Sequence, residues 1–499
     1  MEIVLAEQMR KIDSFCIENL LIPSIVLMEN AALRVLNNID LNKYENITII
    51  CGSGNNGGDG LALARHLLVM KKNVKVFIIG EKSKLTVDCG VNYSILCNMN
   101  IIVEFINSYE GINSLKSALD KSTLLVDAIF GTGLSREVKG VFREAILLIN
   151  NCSAFVLSID IPSGLNSDTG EVLGCAVKAH RTVSFQYYKR GFLRYGSEDY
   201  TGKVVIENIG IPDLVKDEFN LKEFISEKSF ITESIPVRGN HSHKGDFGRV
   251  SIIAGSRDFT GAAYIATEAA VRSGSGLVTL CCHDSIKEIM CNKLIEAMTV
   301  SFKDRERLND VLMKSDAIAI GPGMGDSVET FKILKDVIQY TNCPIVIDAD
   351  GINVLKNNLN ILKEKKNKVV LTPHLGEMSR ITGIPADTIK RNRVDIAKSF
   401  AKEYNVIVLL KGFKTVITDG DTLVINSTGN SAMASGGMGD CLTGIITSFI
   451  GQGLEPLKAA YVAAYIHGYC GDSLSEKNYC VTAREVIKKL PFVIKELTH

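Results

Sequence analysis

The chain has no excess of charge of either sign. Its 499 residues include 56 Lys and Arg residues and 56 Asp and Glu residues, so the formal net charge is zero. This balance would draw the protein neither to nucleic acid nor to an anionic membrane, and we expect neither as a partner. Any ligand that carries phosphate must therefore be held locally, by loops and by the N-terminal ends of helices.

The chain also lacks targeting and membrane-spanning patterns. Residues 1–7 show no basic region followed by a long apolar segment, so no signal peptide is expected. No uninterrupted apolar run is long enough to cross a bilayer. The 13 cysteines form no C-x-x-C pair and do not cluster with the eight histidines, which argues against a zinc site. We expect free thiols and a cytoplasmic location.

Length and pattern predict an α/β protein with more than one domain. A chain of 499 residues exceeds one ordinary core, and 46% hydrophobic residues are typical of a globular protein. Short apolar runs alternate with helix-length spacers in both halves, which predicts parallel sheets. The segment from Pro212 to Asn240 is dense in charge and predicts no strand. We place the junction there and predict domains at residues 1–215 and 225–499.

Residues 51–60, with the sequence CGSGNNGGDG, form the most informative motif. An apolar run at 47–50 precedes it and a helical pattern follows, which predicts a strand, a tight glycine turn and a helix. The spacing is neither a dinucleotide G-x-G-x-x-G motif nor a P-loop. Asn55, Asn56 and Asp59 would face a ligand from this turn. The alternative is that they only shape the turn.

Two further predicted strands in the first half end in carboxylates. Asp127 is followed by a glycine loop at 131–134, and Asp160 is followed by a turn that contains Ser163. Open α/β sheets bind ligands at such strand ends, although a single aspartate can also cap a helix. Oxygen atoms of Asn56, Asp127 and Ser163 could hold a hard cation.

The second half carries a larger set of glycine-rich loops. The last of them precedes a helix predicted to begin near Cys441. A glycine-rich turn before a helix gives an anion site with the positive end of the helix dipole. Asp440 would deprotonate a hydroxyl that attacks a phosphoryl group there, or would only cap the helix. The loops are at residues 255–262, 321–325, 372–377, 411–415 and 429–440.

These motifs resemble the family of bifunctional NAD(P)H-hydrate repair enzymes. In that family an epimerase for hydrated NAD(P)H, written NAD(P)HX, is fused to a nucleotide-dependent NAD(P)HX dehydratase. The resemblance implies a Rossmann-like three-layer α/β/α epimerase domain, followed by a ribokinase-like α/β dehydratase domain. The matching motifs lie at 55–60 and 131–134 for the epimerase, and at 244–248, 373–377 and 436–440 for the dehydratase.

The resemblance also implies which residues serve the epimerase. A potassium ion would be held by Asn56, Asp127 and Ser163. Asp59 or Asp160 would shuttle the proton, and the sequence does not choose between them. The hydrated dinucleotide would be bound by Asn55, Asn56, Gly57, Gly58, Asp59, Gly131, Thr132, Gly133, Leu134, Ser135, Arg136, Glu137 and Asp160.

For the dehydratase, the resemblance implies a base at Asp440 and a site for Mg²⁺ with an adenine nucleotide. ADP is expected as phosphate donor rather than ATP. Met438 departs from the family, which usually has a threonine there. The hydrate would be bound by Ala262, Gly323, His374 and Asp440. The nucleotide would be bound by Lys411, Gly412, Phe413, Lys414, Thr415 and Gly439.

The expected activity is therefore the repair of hydrated NADH and NADPH. R- and S-NAD(P)HX would be interconverted, and the S form would be dehydrated to NAD(P)H while ADP gives AMP and phosphate. The partners would be the hydrate, the nucleotide and further copies of this chain. The alternative is a ribokinase-like small-molecule kinase with an N-terminal binding or scaffold domain.

Overall fold

The computed structural model describes residues 1–498. The chain forms two compact units, one from Met1 to Leu221 and one that begins at Lys222. The expectation that residues 212–240 contain no strand is wrong, because Glu223–Ile225 form one. This strand lies at the edge of its sheet. Edge strands tolerate charged residues, so hydrophobicity alone does not reveal it.

The N-terminal unit contains nine strands, whose neighbours in each sheet are all parallel. The strands are β1 (Ile3–Val4), β2 (Asn46–Cys51), β3 (Asn73–Ile79), β4 (Val103–Ile106), β5 (Leu124–Ala128), β6 (Phe155–Ile159), β7 (Arg181–Phe185), β8 (Tyr188–Lys189) and β9 (Lys203–Glu207). Strands β4-β3-β2-β5-β6-β7-β9 form a seven-stranded sheet in this order, and β1 pairs with β8.

Helices cover both faces of the seven-stranded sheet. They are α1 (Ala6–Glu18), α2 (Ser24–Asn37), α3 (Asn55–Val69), α4 (Val87–Asn98), α5 (Ile112–Leu119), α6 (Gly140–Asn151), α7 (Glu198–Thr201) and α8 (Leu214–Glu218). Along β2, Ile49 and Cys51 pack with α1 to α4, whereas Ile50 packs with α5 and α6. Alternate residues of a strand point to opposite faces, so the unit has the expected three layers.

The C-terminal unit has one ten-stranded sheet. Its strands are β10 (Glu223–Ile225), β11 (Arg249–Ile253), β12 (Leu277–Cys282), β13 (Met298–Ser301), β14 (Ala317–Ile320), β15 (Ile345–Ile347), β16 (Val369–Leu371), β17 (Ile407–Leu410), β18 (Val416–Thr418) and β19 (Leu423–Ile425). The order is β10-β19-β18-β17-β16-β15-β14-β11-β12-β13. Only β18 is antiparallel to its neighbours, and it forms a hairpin with β19 around Asp419.

Helices α10, α19, α20 and α21 pack together against one face of this sheet, where they bury Val250 and Ile252 of β11. The helices of the unit are α9 (Lys228–Thr232), α10 (Thr260–Arg272), α11 (Asp284–Lys293), α12 (Arg305–Met313), α13 (Val328–Tyr340), α14 (Asp350–Asn353), α15 (Ile361–Glu364), α16 (Leu375–Thr382), α17 (Ala386–Arg391), α18 (Arg393–Tyr404), α19 (Met438–Gly451), α20 (Pro456–Ser475) and α21 (Ala483–Leu497).

The predicted α/β class with parallel sheets is confirmed in both units. All 13 cysteines are free thiols, as expected. Within residues 1–498, no helix combines the length and the apolar character that a membrane crossing requires.

Candidate active sites

The glycine turn after β2 is shorter than predicted. Helix α3 already begins at Asn55, so Asn55 to Asp59 lie in its first turns and not in the preceding turn. The reason is close packing at the helix start. A Cβ atom on Gly57 would lie only 1.9 Å from the carbonyl oxygen of Gly52. Glycine therefore lets the helix begin directly against the end of the strand.

Replacing Gly57 with alanine is expected to lower the free energy of unfolding by about 3 kcal/mol, because the added methyl group would overlap a backbone atom that cannot move freely. Urea unfolding of the full chain measures this loss. Gly90→Ala in helix α4 is the matched control, since a Cβ atom there would meet no atom within 4 Å. The control should be neutral or stabilising by up to about 1 kcal/mol. Equal stability of both variants would contradict the packing argument.

The three residues expected to hold potassium lie at the ends of β2, β5 and β6. Ser163 donates from its hydroxyl to Asp127 Oδ1 (2.5 Å) and from its backbone nitrogen to Asp127 Oδ2 (2.9 Å). Burial raises the pKa of Asp127, while these hydrogen bonds oppose the rise. Asn56 lies against the following loop, since a Cβ atom on Gly131 would be 3.3 Å from Asn56 Cβ.

The side chain of Asn56 supports the assignment of a cation site. It is 8% exposed, and neither Oδ1 nor Nδ2 has a hydrogen-bond partner. Buried polar atoms rarely stay unpaired without a ligand. An amide oxygen, a carboxylate and a hydroxyl are all hard oxygen donors, so these residues fit such a cation. No cluster of three or more His, Cys, Asp and Glu side chains suited to a metal ion occurs among residues 1–498.

A second group in this unit combines Asp59 and Asp160 with two residues that sequence reasoning missed, Asp13 and Lys189. Lys189 Nζ lies 3.2 Å from Asp160 Oδ1 and is 2% exposed. Ser184 donates its hydroxyl to the same oxygen at 3.2 Å. Asp160 has a left-handed backbone with a φ of +63°, a conformation that aspartate adopts more readily than most residues.

Burial and the neighbouring charges shift the pKa values of Asp59 and Asp13. Burial raises the pKa of Asp59 well above its usual value, and the charges of Asp160 and Asp13 raise it further. Burial also raises the pKa of Asp13 to about 7, while Lys189 opposes and Asp160 adds to the rise. These surroundings favour the protonated form of Asp59, whereas Asp160 forms an ion pair with Lys189.

The loop at 131–137 contacts the neighbouring segments through its first two residues. Gly131 contacts Asn56, and the carbonyl oxygen of Thr132 accepts a hydrogen bond from Ser167 (3.3 Å). The side chain of Glu137 instead pairs with Lys139 at 2.9 Å. Leu134 is half-buried, and the remaining predicted residues of the loop, Gly133, Ser135, Arg136 and Glu137, are exposed.

In the C-terminal unit, loops that follow β14, β15, β16 and β17 meet the start of α19. Asp348, directly after β15, is 1% exposed. Its carboxylate accepts hydrogen bonds from Lys411 Nζ, Thr372 Oγ1 and Thr443 Oγ1, each at 2.8 Å. The sequence motifs did not single out Asp348. Its partners come from distant parts of the chain, so no local motif marked it.

Helix α19 begins at Met438, three residues before the predicted start near Cys441. The cap is Gly437, whose left-handed φ of +87° suits glycine. Asp440 therefore lies inside the first turn and is not the N-cap. Met438 is buried in the apolar core, which explains how a side chain larger than threonine is accommodated. The glycine-rich turn and the free amides of a helix start are thus kept.

Asp440 is surrounded by four charged groups from three segments of the chain, which follow β15, β16 and β17. Burial raises its pKa to about 6, with Asp348, Asp350 and Glu377 adding to the rise and Lys411 opposing it. Lys411 Nζ would be 3.1 Å from a Cβ atom placed on Gly439. A base that loses its proton near pH 6 beside a lysine and a helix start is suited to phosphoryl transfer.

The residues expected to bind the hydrate fall into two places. Gly323 and Ala262 are adjacent, because a Cβ atom on Gly323 would be 3.0 Å from Ala262 Cβ. His374 caps α16 by accepting a hydrogen bond from the Gly376 nitrogen at 2.9 Å, and its ring is largely exposed. His374 Nε2 lies 3.4 Å from Glu377 Oε1, one of the charged groups around Asp440.

The segment 411–415 is a fixed turn. Lys411 donates its backbone nitrogen to the carbonyl oxygen of Pro373 (2.8 Å). Arg393, which sequence reasoning missed, donates to the carbonyl oxygens of Phe413 (2.6 Å) and Leu410 (3.2 Å). Phe413 itself is 71% exposed, and Lys414 Nζ lies 5.9 Å from the centre of its ring. Within this segment, Gly412 and Lys414 have positive φ, and Thr415 donates its hydroxyl to the Gly412 oxygen.

Full-length relatives decide the family. A bifunctional NAD(P)H-hydrate repair enzyme from Moorella thermoacetica is 36% identical, over 100% of this chain and 97% of the relative. One from Thermofilum pendens is 34% identical, over 96% of this chain and 93% of the relative. The chain belongs to the family of bifunctional NAD(P)H-hydrate repair enzymes.

Each half of the chain also matches a separate family model. Residues 24–191 match the YjeF-related protein N-terminus, and residues 250–492 match NAD(P)H-hydrate dehydratase. A ribokinase-like superfamily protein from Enterococcus faecalis is 29% identical with a TM-score of 0.51, covering 55% of this chain and 96% of that chain. A hypothetic protein from Streptococcus mutans is 28% identical with a TM-score of 0.50, covering 55% and 100%. The expected family and the ribokinase-like fold are confirmed.

Proposed function

We propose that the chain repairs hydrated NADH and NADPH by two reactions. The N-terminal unit interconverts R- and S-NAD(P)HX, and the C-terminal unit dehydrates the S form with ADP as phosphate donor. One observation carries this proposal. Each unit places a carboxyl group with a raised pKa among other charged groups at the carboxyl edge of its sheet, Asp59 beside Asp160 of the Asp160–Lys189 pair and Asp440 beside Lys411.

For the epimerase, the two carboxyl groups take opposite proton roles. The ring nitrogen of the hydrate can expel the hydroxyl group if that group is protonated as it leaves. Asp59, whose pKa is raised by burial, is the acid for this step. The bond from carbon to oxygen breaks, an iminium forms, and water returns to the other side of the ring. Asp160, the partner of Lys189, accepts the proton of the returning water.

Potassium would be held by Asn56, Asp127 and Ser163. When bound, the ion supplies a positive charge that attracts oxygen atoms of the dinucleotide. The unpaired Asn56 side chain and the Asp127 carboxylate support this assignment. The first turns of α3 add backbone N–H groups and the positive end of the helix dipole, which favour the substrate phosphates.

For the dehydratase, a hydroxyl must first become a better leaving group. Asp440 takes the hydroxyl proton while the oxygen attacks the β-phosphorus of ADP, and the bond from that phosphorus to AMP breaks. The ring nitrogen then expels phosphate, and a proton leaves the neighbouring carbon, which restores the reduced nicotinamide. Lys411 and the start of α19 stabilise the charge on the phosphoryl group. Mg²⁺ would accompany the nucleotide and neutralise its phosphates.

Incubating the protein with pure S-NADHX and ADP, ATP or neither nucleotide tests this function. We expect the reduced-nicotinamide absorbance to rise with ADP, with one phosphate and one AMP formed for each NADH. Faster conversion with ATP would contradict the choice of donor. The alternative function, a small-molecule kinase, predicts a stable phosphorylated product and no absorbance gain.

The alternative for the N-terminal unit is a binding or scaffold module without catalysis. The ion pair of Asp160 with Lys189 and the raised pKa of Asp59 favour an enzyme, because a scaffold needs neither. Assembly and location also remain predictions, namely a homo-oligomer in the cytoplasm that binds neither nucleic acid nor membranes. Light scattering of the purified protein tests the oligomer.

A further inference from the structure

Asp348 joins three elements that build the dehydratase site. Its carboxylate binds Lys411 from the turn after β17, Thr372 from the loop after β16, and Thr443 from the second turn of α19. With a side chain that is almost completely buried, Asp348 does not serve as a surface charge. It also takes no part in the reaction steps described above.

The Asp348–Lys411 pair lies directly beside the proposed nucleotide loop. Burial opposes ionisation of Asp348, but the Lys411 ammonium and the hydroxyl donors outweigh it and hold the pKa of Asp348 below its usual value. Lys411 Nζ also lies 3.9 Å from Glu377 Oε2. The ammonium group is thus kept charged and fixed next to Gly439, at the first turn of α19.

Asp348 and Lys411 have opposite effects on the pKa of Asp440, since Asp348 raises it and Lys411 lowers it. Four charged groups face Asp440, namely Asp348, Asp350, Glu377 and Lys411, and the last is the only cation among them. Neutralising Asp348 would remove the carboxylate that Lys411 contacts at 2.8 Å and leave the ammonium group facing Glu377 and Asp440. Neutralising Lys411 would leave only carboxylates around Asp440.

We propose that Asp348 is a positioning residue of the dehydratase, which holds Lys411 beside the first turn of α19 and balances its charge at Asp440. The inference rests on the proposed function in one respect, that Asp440 is the base. A purely structural Asp348 would contribute to stability without influencing how Asp440 exchanges its proton.

The test compares pH profiles of dehydratase kcat/KM for S-NADHX at saturating ADP. Asp348→Asn keeps the shape of the side chain and removes its charge, so the acidic limb should move to lower pH by about 1 unit. Lys411→Met should move the limb to higher pH. Thr372→Val is the matched control, because it removes one hydrogen bond and leaves both charges; its limb should stay in place. The titration of ADP is the same in all measurements, so it does not affect the differences between the pH profiles of the variants.

An unmoved limb in the Asp348 variant, with the protein folded and active, overturns the proposal. If that variant does not fold, the Lys411 variant decides, and an unmoved or lowered limb overturns the proposal. Asp440→Asn tests the assignment of the base separately from the role of Asp348. If the Asp440→Asn variant keeps the acidic limb and full turnover, the base assignment itself is wrong. If it loses turnover while the other limbs do not move, only the role of Asp348 fails.

Discussion

Replacing Asp440 with asparagine is expected to lower dehydratase turnover about a thousandfold, because the amide cannot accept the hydroxyl proton during phosphoryl transfer. The substitution keeps the size of the side chain, and Asp440 does not cap α19, so the helix start should persist. Steady-state rates with S-NADHX and ADP measure the loss. Epimerase activity in the same protein is the internal control and should be unchanged.

The same assignment predicts how dehydratase turnover depends on pH. Burial raises the pKa of Asp440 to about 6, so the unmodified protein should lose turnover as the pH falls through about 6 and the base becomes protonated. The residual activity of the Asp440→Asn variant should lack this limb. Full dehydratase turnover in that variant would show that another group accepts the proton.

Replacing Asp160 with asparagine should lower the epimerase rate by about 10²- to 10³-fold, because the carboxylate that accepts the proton of the returning water is lost. Asparagine tolerates the left-handed backbone at this position, so the turn after β6 should be kept. The measurement follows conversion of pure R-NADHX to the S form by chromatography. Dehydratase activity on the S form should not change.

Ser184→Ala is the matched control for this variant. It removes the hydroxyl that donates to Asp160 at 3.2 Å and leaves the ion pair with Lys189 in place. We expect a loss of about tenfold, since one hydrogen bond to a charged group contributes about 1.5 kcal/mol and the carboxylate itself is kept. If Asp160→Asn and Ser184→Ala have equal rates, Asp160 is not the base.

The fold was predictable where strands are continuous apolar runs. Strands β2, β5 and β14 are buried on both faces, and each contains only apolar or small residues apart from one or two positions. Strand β10 was missed because an edge strand of three half-buried residues has no comparable pattern. Both helices at the glycine turns begin earlier than expected, at Asn55 and Met438. Glycine and asparagine are poor helix formers, and only tertiary packing overrides this preference.

The sites were predictable where their residues lie in local motifs, as do Asn56, Asp59 and Asp440. Their partners were not, because Lys189 and Asp348 reach the sites from other parts of the chain. Strand β8 brings Lys189 to Asp160 only through the turn after β7. Asp348 acquires its role from Lys411, which lies 63 residues away in sequence. Such pairs depend on sheet topology, which local patterns do not encode.

The central claim is that one chain repairs both forms of the hydrate, and an equal mixture of R- and S-NADHX tests it most directly. The mixture is incubated with the unmodified protein, ADP, Mg²⁺ and potassium, and the reduced-nicotinamide absorbance is followed to its end. We predict complete conversion to NADH, because the N-terminal unit supplies S-NADHX as the C-terminal unit consumes it. Conversion that stops at half would contradict the account, since it would show a dehydratase without an epimerase.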